Sequence, residues 1–374
     1  MKILFTNFHS NDGGGHVTYI LSLARALSPV YDVTIATPPT GRLYRYAQSI
    51  PHVKVVEQWY TSRIQKMAPE VGRLRQHIKA ARYDLIHING SADHRHVMFA
   101  CLGMAKRPAL VWTKHNDHQV SSLGNRLRAR LGTDHVIAVS DYVKGMLQQS
   151  AYRAKPITTI RHGIDTAYFA PVQPADKRHW RQQLFGSSLD DLIILGSAGG
   201  TDYDKGWLDL LAGLAALPAH ERQQFRVVVA GAKPGPDKLQ RVHGLNMQDY
   251  VVFPGLVDDV RPILGACDVG FVLSYREALS YACREVMALG LPALVSDVGG
   301  LPENVEHGTN GWIVPARTPD AIRGVLQRML ADRAMIARHG AAARAMAASD
   351  FAIQPFIDRT REVYHRALQR PSEH

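Results

Sequence analysis

Cysteine is scarce in this chain: three residues in 374, Cys101, Cys267 and Cys283, odd in number, far apart and outside any Cys-x-x-Cys pairing. That excludes a disulfide framework and a cysteine-built zinc site, and leaves core thiols as the reading. Long hydrophobic runs are missing as well. No stretch approaches the roughly 18 apolar residues of a membrane-crossing helix, and the start Met1-Lys2-Ile3-Leu4-Phe5-Thr6-Asn7 turns polar too early for a signal peptide. The chain therefore reads as a soluble, cytoplasmic protein. It lacks internal repeats, low-complexity segments and coiled-coil heptads. The Gly-rich turn Asp12-Gly13-Gly14-Gly15-His16 does not have the Gly-x-Gly-x-x-Gly spacing of a dinucleotide site, which counts against a nicotinamide enzyme.

What is present is apolar content of 46%, enough over this length for two ordinary cores. The net charge of +11 is unevenly spread. Residues 1–170 carry 22 Lys and Arg against 10 Asp and Glu, net +12, and residues 171–374 carry 22 against 23, net −1. The first half therefore faces something anionic, a phospholipid surface or nucleic acid, unless its basic helices are simply solvated.

Short apolar runs recur at Ile3-Leu4-Phe5, Val33 to Ala36, Leu85 to Ile88, Ala109 to Trp112 and Val136 to Val139, with crossover-length stretches between them. The first ends in the Gly-rich turn and leads into a helical pattern through Ile20, Leu23, Ala24 and Leu27. A second series follows Ala170-Pro171-Val172-Gln173-Pro174, with runs at Leu192 to Leu195, Val227 to Ala230, Val251 to Phe253, Val269 to Leu273 and Ala293 to Val295. The pattern predicts an α/β protein of two Rossmann-like, doubly wound domains, 1–170 and 171–352, with a terminal helix at 353–374 that would pack back on the first.

In open parallel sheets ligands sit beyond the carboxyl ends of the strands. Glu277 and Glu285 fall there, eight positions apart, one in a loop after an apolar run and the other about one turn into a helix. Carboxylates at that spacing suit sugar and ribose hydroxyls, and backbone amides at the helix start between them suit phosphate. The run continues through Ala288-Leu289-Gly290-Leu291-Pro292 and Ser296-Asp297-Val298-Gly299-Gly300-Leu301-Pro302-Glu303 to Asn310-Gly311-Trp312-Ile313-Val314. Together with Gly14-Gly15, His115, Val139-Ser140, His162-Gly163-Ile164-Asp165 and Lys205-Gly206, all in the same order, it resembles the Glu-x7-Glu region and companion motifs of family 4 retaining glycosyltransferases of the group 1 type.

That resemblance covers nearly the whole chain and implies the GT-B fold, two Rossmann-like domains facing across a cleft. It implies that Glu285 binds the donor ribose, that Glu277 and His115 lie beside the transferred sugar, and that amides around Leu279 and Ser280, with Gly14 and Gly15, approach sugar and diphosphate. Lys205 would neutralise the diphosphate, as a point charge stabilises a departing pyrophosphate. The implied reaction transfers sugar from a nucleotide-diphosphate donor, UDP favoured, with retention and without a metal or other cofactor. The acceptor would be a glycan or lipid-linked molecule of lipopolysaccharide, capsule or exopolysaccharide synthesis. Two positions depart from the family: Gly200 stands where an arginine is usual, and His162 where asparagine is. A nucleotide-sugar-binding protein without transfer activity, or a UDP-sugar epimerase, would share the fold.

His87, Asn89 and Ser91 follow an apolar run, where they would line the acceptor side or cap the next helix. Asp202-Tyr203-Asp204, and Asp93, His94 and His96 with His115 and His118, have metal-site composition but no ligand spacing, so surface loops are the better reading. Two stretches mix basic and apolar residues: Arg63, Lys66, Arg73, Arg75, Lys79 and Arg82 among Ile64, Met67, Val71, Leu74 and Ile78, and Arg126, Arg128 and Arg130 with Leu127 and Leu131. They suit an anionic inner-membrane surface. Nucleic acid is disfavoured, because no aromatic interleaving accompanies them.

Overall fold

A computed structural model describes residues 1–10 and 14–369. Asp12 and Gly13 of the Gly-rich turn lie outside the described residues. The chain forms two compact units, Met1–His162 together with Gln354–His374, and Gly163–Ile353. The first unit ends eight residues before the break expected at 170, and it takes in the terminal helix Ile353–Leu368 from Gln354 onward.

The first unit holds a seven-stranded parallel sheet built from β1 (Lys2–Thr6), β2 (Asp32–Thr37), β3 (Val53–Glu57), β4 (Leu85–Ile88), β5 (Ala109–Lys114), β6 (His135–Ala138) and β7 (Ile157–Thr159). Their order is β3-β2-β1-β4-β5-β6-β7. β4, β5 and β6 are buried along their whole length, as central strands covered on both faces must be, and this is why they read as unbroken apolar runs. The chain travels outward from β1 to β3 and returns beside β1 as β4, so the order reverses between β1 and β4. A ligand crevice opens at such a reversal.

The second unit repeats the design with β8 (Ile193–Ser197), β9 (Phe225–Ala230), β10 (Val251–Gly255), β11 (Val269–Val272), β12 (Ala293–Ser296) and β13 (Gly311–Val314) in the order β10-β9-β8-β11-β12-β13, all parallel. Here the reversal falls between β8 and β11. The core on one face packs Trp207, Leu210, Leu211 and Leu214 against Phe225, Phe271 and Trp312. The three cysteines are buried and stand outside any disulfide.

The terminal helix belongs to the first unit through its apolar stripe, with Phe356, Val363, Tyr364 and Ala367 buried. Tyr364 Oη shares a hydrogen bond of 2.5 Å with His87 Nδ1, whose Nε2 lies 2.6 Å from Thr113 Oγ1. Thr113 Oγ1 in turn shares one of 3.0 Å with the Tyr19 hydroxyl. This buried polar chain fixes the helix across the ends of β4 and β5. Among the described residues, no helix is long and apolar enough to cross a membrane.

Candidate active site

In the second unit, the loops leaving β8 and β11 meet at the strand reversal. Lys205 ends a 3-10 turn, Tyr203–Lys205, that is joined to the neighbouring loop by the Tyr275 N–H donating to the Asp204 carbonyl at 2.7 Å. The approach depends on Gly206, at φ 67°: a Cβ there would stand 1.9 Å from the Leu273 carbonyl oxygen. The result brings Lys205 Nζ to 3.7 Å from a Glu277 carboxylate oxygen, both groups partly exposed. Asp202 pairs with Lys238 at 3.7 Å, and Asp204 engages the Tyr275 amide through its backbone.

Glu277 is braced from below by the loop after β12. The Gly300 N–H donates to the Glu277 carbonyl at 3.1 Å, and Gly299 at φ 55° passes so close that a Cβ would lie 1.7 Å from the same oxygen. Ser280 caps the Tyr281–Ala288 helix by accepting from the Cys283 N–H. It does so at φ 91°, a conformation costing about 1–3 kcal/mol in a residue with a side chain and typical of functional loops. Leu279 is buried beside it. The first-turn N–H groups of that helix lack intrahelical acceptors and are suited to an anion.

Glu285 lies on the same helix, one turn in. Burial pushes its carboxyl up from 4.5 to about 7. Two residues that sequence reasoning passed over hold this region together. Arg284, fully buried, donates from Nε to Asn304 Oδ1 at 2.8 Å and stacks 4.1 Å over the Phe351 ring. Asn304 Nδ2 donates to the Leu279 carbonyl at 2.8 Å and to those of Gly300 and Leu301. A buried arginine inside an apolar helix was a readable signal; Asn304 carried none.

In the first unit, His115 follows β5 and Asn89 follows β4. Asn89 Oδ1 accepts from His115 Nε2 at 3.0 Å, while Asn89 Nδ2 donates to the carbonyls of Thr6 and His87. Tyr19 packs edge-on against His115 at 4.6 Å and against His162 at 5.4 Å. Burial, reinforced by neighbouring His162, His16, His87 and His9, holds His115 well below the usual histidine range. Its ring is neutral near pH 7. Gly14 precedes the Gly15–Leu27 helix at φ 110°, with the His16 ring folded against it and stacked on His9 at 3.8 Å. Burial, then His9, pushes His16 down to about 3.

Three expectations change here. His87 is fully buried between Tyr364 and Thr113 and presents no atom to an acceptor. Asn89, 3% exposed, orients His115 instead of lining an acceptor surface. Ser91 is exposed but is not the cap, since Gly90 holds that place and the Asp93 carboxylate accepts from the N–H groups of Asn89 and Gly90. His94 and His96 are likewise engaged, with the Gly132 carbonyl and Thr133 and with Glu70. Among the described residues no cluster of three His, Cys, Asp or Glu could hold a metal ion. A cavity of about 550 Å³ within this unit, lined by Gln119, Ser121, Asp141, Tyr142 and Gln149, was not foreseen.

Two parallel-sheet units with their polar loops at the strand reversals define the GT-B class. The family models agree: Glycosyltransferase Family 4 matches residues 13–168 and Glycosyl transferases group 1 matches residues 191–332. The chain belongs to the family 4, group 1 glycosyltransferases. It is 25% identical to D-inositol 3-phosphate glycosyltransferase of Streptomyces bingchenggensis over 96% of this chain and 86% of that protein. It is 28% identical to N-acetyl-alpha-D-glucosaminyl L-malate synthase of Bacillus anthracis over 76% of this chain and 75% of that one. Among solved structures, Anabaena HepE in complex with UDP and glucose superposes with a TM-score of 0.84 at 23% identity, covering 98% of this chain and 99% of that chain.

Proposed function

We propose that this glycosyltransferase moves a sugar from a nucleotide-diphosphate donor to a glycan or lipid-linked acceptor with retention at the anomeric carbon. The observation that carries the reading is the pairing of Lys205 with Glu277 at 3.7 Å beside the start of the Tyr281–Ala288 helix. A cation, a carboxylate and the amides of a helix start at one strand reversal suit a diphosphate joined to a sugar. Glu285 is assigned to the ribose, and His115, neutral, to hydrogen bonding with the sugar. UDP is the favoured base, in keeping with the UDP and UDP-glucose complexes of HepE.

In this reading the acceptor hydroxyl attacks the anomeric carbon on the face from which the diphosphate departs. The carbon–oxygen bond to the diphosphate breaks, and a diphosphate oxygen takes the hydroxyl proton. No protein base and no metal is required. The leaving charge falls on Lys205 and the helix-start amides, whose preorganisation stabilises the transition state.

A membrane-facing role for the first unit draws support from the second basic stretch more than from the first. On the Ile64–Ala81 helix, Leu74 and Ile78 are buried in the protein, and Arg75 donates to the Ala100 and Leu102 carbonyls. The Leu123–Leu131 helix instead exposes Leu123, Leu127 and Leu131 beside the exposed Arg126 and Arg130.

Thermal stabilisation by UDP-, GDP- and ADP-sugars tests the donor assignment, and product anomer analysis tests retention. Transfer is expected to persist in excess EDTA; loss restored by a divalent ion would refute the metal-free mechanism. Sugar interconversion without acceptor would replace the transferase reading with an epimerase.

A further inference from the structure

The turn that carries Lys205 is gripped at both ends by one residue. Tyr275, two positions before Glu277, donates its N–H to the Asp204 carbonyl at 2.7 Å and its hydroxyl to Asp209 Oδ2 at 2.9 Å. Asp204 precedes Lys205. Asp209 lies in the first turn of the Trp207–Ala215 helix, and its own N–H donates to the Gly206 carbonyl at 3.1 Å. A three-residue 3-10 turn has too few hydrogen bonds to hold its own place, so these outside contacts set it. Lys205 sits between the two anchors, with Nζ 3.7 Å from the Glu277 carboxylate.

The Tyr275 ring is held in turn from a third loop. Arg317, three residues past β13, places its guanidinium 4.3 Å over that ring. It does so at φ 59°, a left-handed conformation that strains a residue with a side chain and suits glycine. The preceding Ala316 is tied down as well, its N–H donating to Asp297 Oδ1 at 3.0 Å, just past β12. Strain of this kind collects in functional loops. Burial raises the Asp209 carboxyl, with the Tyr275 hydroxyl and Arg317 opposing. Burial, then the bond to Asp209, pushes the Tyr275 phenol up to about 12. It therefore stays protonated near pH 7 and remains the donor.

We propose that Tyr275 is a positioning residue that sets the Lys205 ammonium against the Glu277 carboxylate, a proposal that rests on the assignment of the donor diphosphate to Lys205. The Tyr275 backbone belongs to the Glu277 loop and its side chain reaches the Lys205 segment. The two loops are thus fastened to each other by the hydroxyl on Asp209 as well as by the amide on Asp204, and Arg317 keeps the ring on that line. A cation stabilises a departing diphosphate only when it is already in place as the charge develops, so a small displacement of Lys205 would be costly. The pair can be read without any substrate. A carboxylate beside a lysine favours the ammonium, and only the neutral amine acylates, so loosening the pair quickens labelling.

The test is the rate at which acetic anhydride labels Lys205 in the full chain, read by mass spectrometry against Lys177. That lysine is the internal standard: it lies in the same unit, donates to Asp268 at 2.7 Å, and has a side chain 29% exposed, as Lys205 has. Tyr275→Phe keeps the ring and the N–H and removes only the hydroxyl. It is expected to quicken Lys205 labelling about two- to fivefold, the range for a partly exposed ion pair, and to leave Lys177 unchanged. Asp209→Asn, which keeps an oxygen for the hydroxyl, should quicken it less than Asp209→Leu. In a Glu277→Gln background Tyr275→Phe should add nothing, since no carboxylate is left to lose. Arg317→Gly should also quicken Lys205 labelling while holding or raising stability to denaturant, because glycine takes φ 59° without strain. Lys205 labelling unchanged in Tyr275→Phe, a rise shared by Lys177, or a further rise in the Glu277→Gln background would overturn the proposal. Calorimetric titration with UDP reads the donor assignment separately. Binding about two- to fivefold weaker in Tyr275→Phe is expected, whereas an unmodified chain that binds no UDP would remove that assignment and leave the labelling rates to decide Tyr275.

Discussion

Asn89 fixes which nitrogen of His115 carries the proton. Its Nδ2 hydrogens go to the carbonyls of Thr6 and His87, each at 3.1 Å. A carbonyl only accepts, so the amide cannot be flipped, and Oδ1 must face His115 Nε2 at 3.0 Å. Nε2 therefore bears the hydrogen of the neutral ring, and the Nδ1 lone pair is buried and unpartnered among the described residues. Nitrogen-15 NMR of His115 is expected to show the Nε2–H form alone, and a tautomer mixture in Asn89→Leu. The same variant should lose about tenfold to hundredfold in kcat with little change in donor affinity. Asn89→Asp should raise the His115 pKa, since a carboxylate favours the imidazolium, and should move the pH profile accordingly. A single unchanged tautomer in Asn89→Leu would disprove the positioning role.

Gly299→Ala tests the brace under Glu277. The new Cβ would fall 1.7 Å from the Glu277 carbonyl oxygen, so either the loop or the glutamate must shift. A loss of about 1–3 kcal/mol in denaturant unfolding is expected, with weakened donor binding because Glu277 leaves Lys205. Gly308→Ala is the control: its φ is 79° but nothing lies within 4 Å of the added carbon. It should cost stability and leave donor binding intact. Equal donor affinity in both variants would contradict the brace.

Most of this architecture is legible in the chain because central parallel strands are buried on both faces and so spell continuous apolar runs. Ten of the thirteen strands announce themselves that way. β3, β7 and β13 do not, and each is a sheet edge. Val53-Lys54-Val55-Val56-Glu57 is interrupted by charge on its half-exposed side, and Ile157-Thr158-Thr159 is never fully buried. Position after a run marks Glu277 and His115, whereas Lys205 and Ser280 are legible only through the resemblance to the family. What pairing alone reveals is not legible. Asn89 looks like a surface polar residue until its two carbonyl partners are known, and His87 looks like a ligand-facing histidine until Tyr364, 277 positions away, closes over it.

Glu285 should make nucleotide-sugar binding pH dependent. Its carboxyl sits at about 7 in the folded chain against 4.5 when free, and ribose hydroxyls donate best to the ionised form. Donor affinity is therefore expected to rise as pH climbs through 7, and to be weaker and flat in Glu285→Gln. The stability linkage has the opposite sense. A raised folded-state pKa stabilises fully below 4.5 and the benefit disappears as pH rises through 7, on the order of 3 kcal/mol. Glu285→Gln should thus gain stability relative to the unmodified protein at pH 8 and not at pH 4. Calorimetry and unfolding at the two pH values check both signs, and a donor affinity independent of pH in the unmodified chain would discard the assignment.

The membrane reading separates two basic helices. Leu123, Leu127 and Leu131 are 72%, 44% and 40% exposed, four residues apart on one side of a helix that also exposes Arg126 and Arg130. Apolar side chains entering the headgroup boundary between cations would bind anionic vesicles, each basic residue adding about 1 kcal/mol. Co-sedimentation with phosphatidylglycerol vesicles and not with phosphatidylcholine is expected, with release as salt shortens the Debye length from about 10 Å toward 3 Å. Reversing Arg126 and Arg130 to glutamate, or changing Leu127 to Gln, should weaken that binding by about tenfold or more. The same reversal at Arg73 and Lys79 should matter less, because the apolar residues between them, Leu74 and Ile78, are buried inside the protein and cannot enter lipid. Nucleotide binding should survive every one of these changes, since it is assigned to the second unit. Equal binding to neutral and anionic vesicles, or indifference to the Arg126 and Arg130 reversals, would remove the membrane claim.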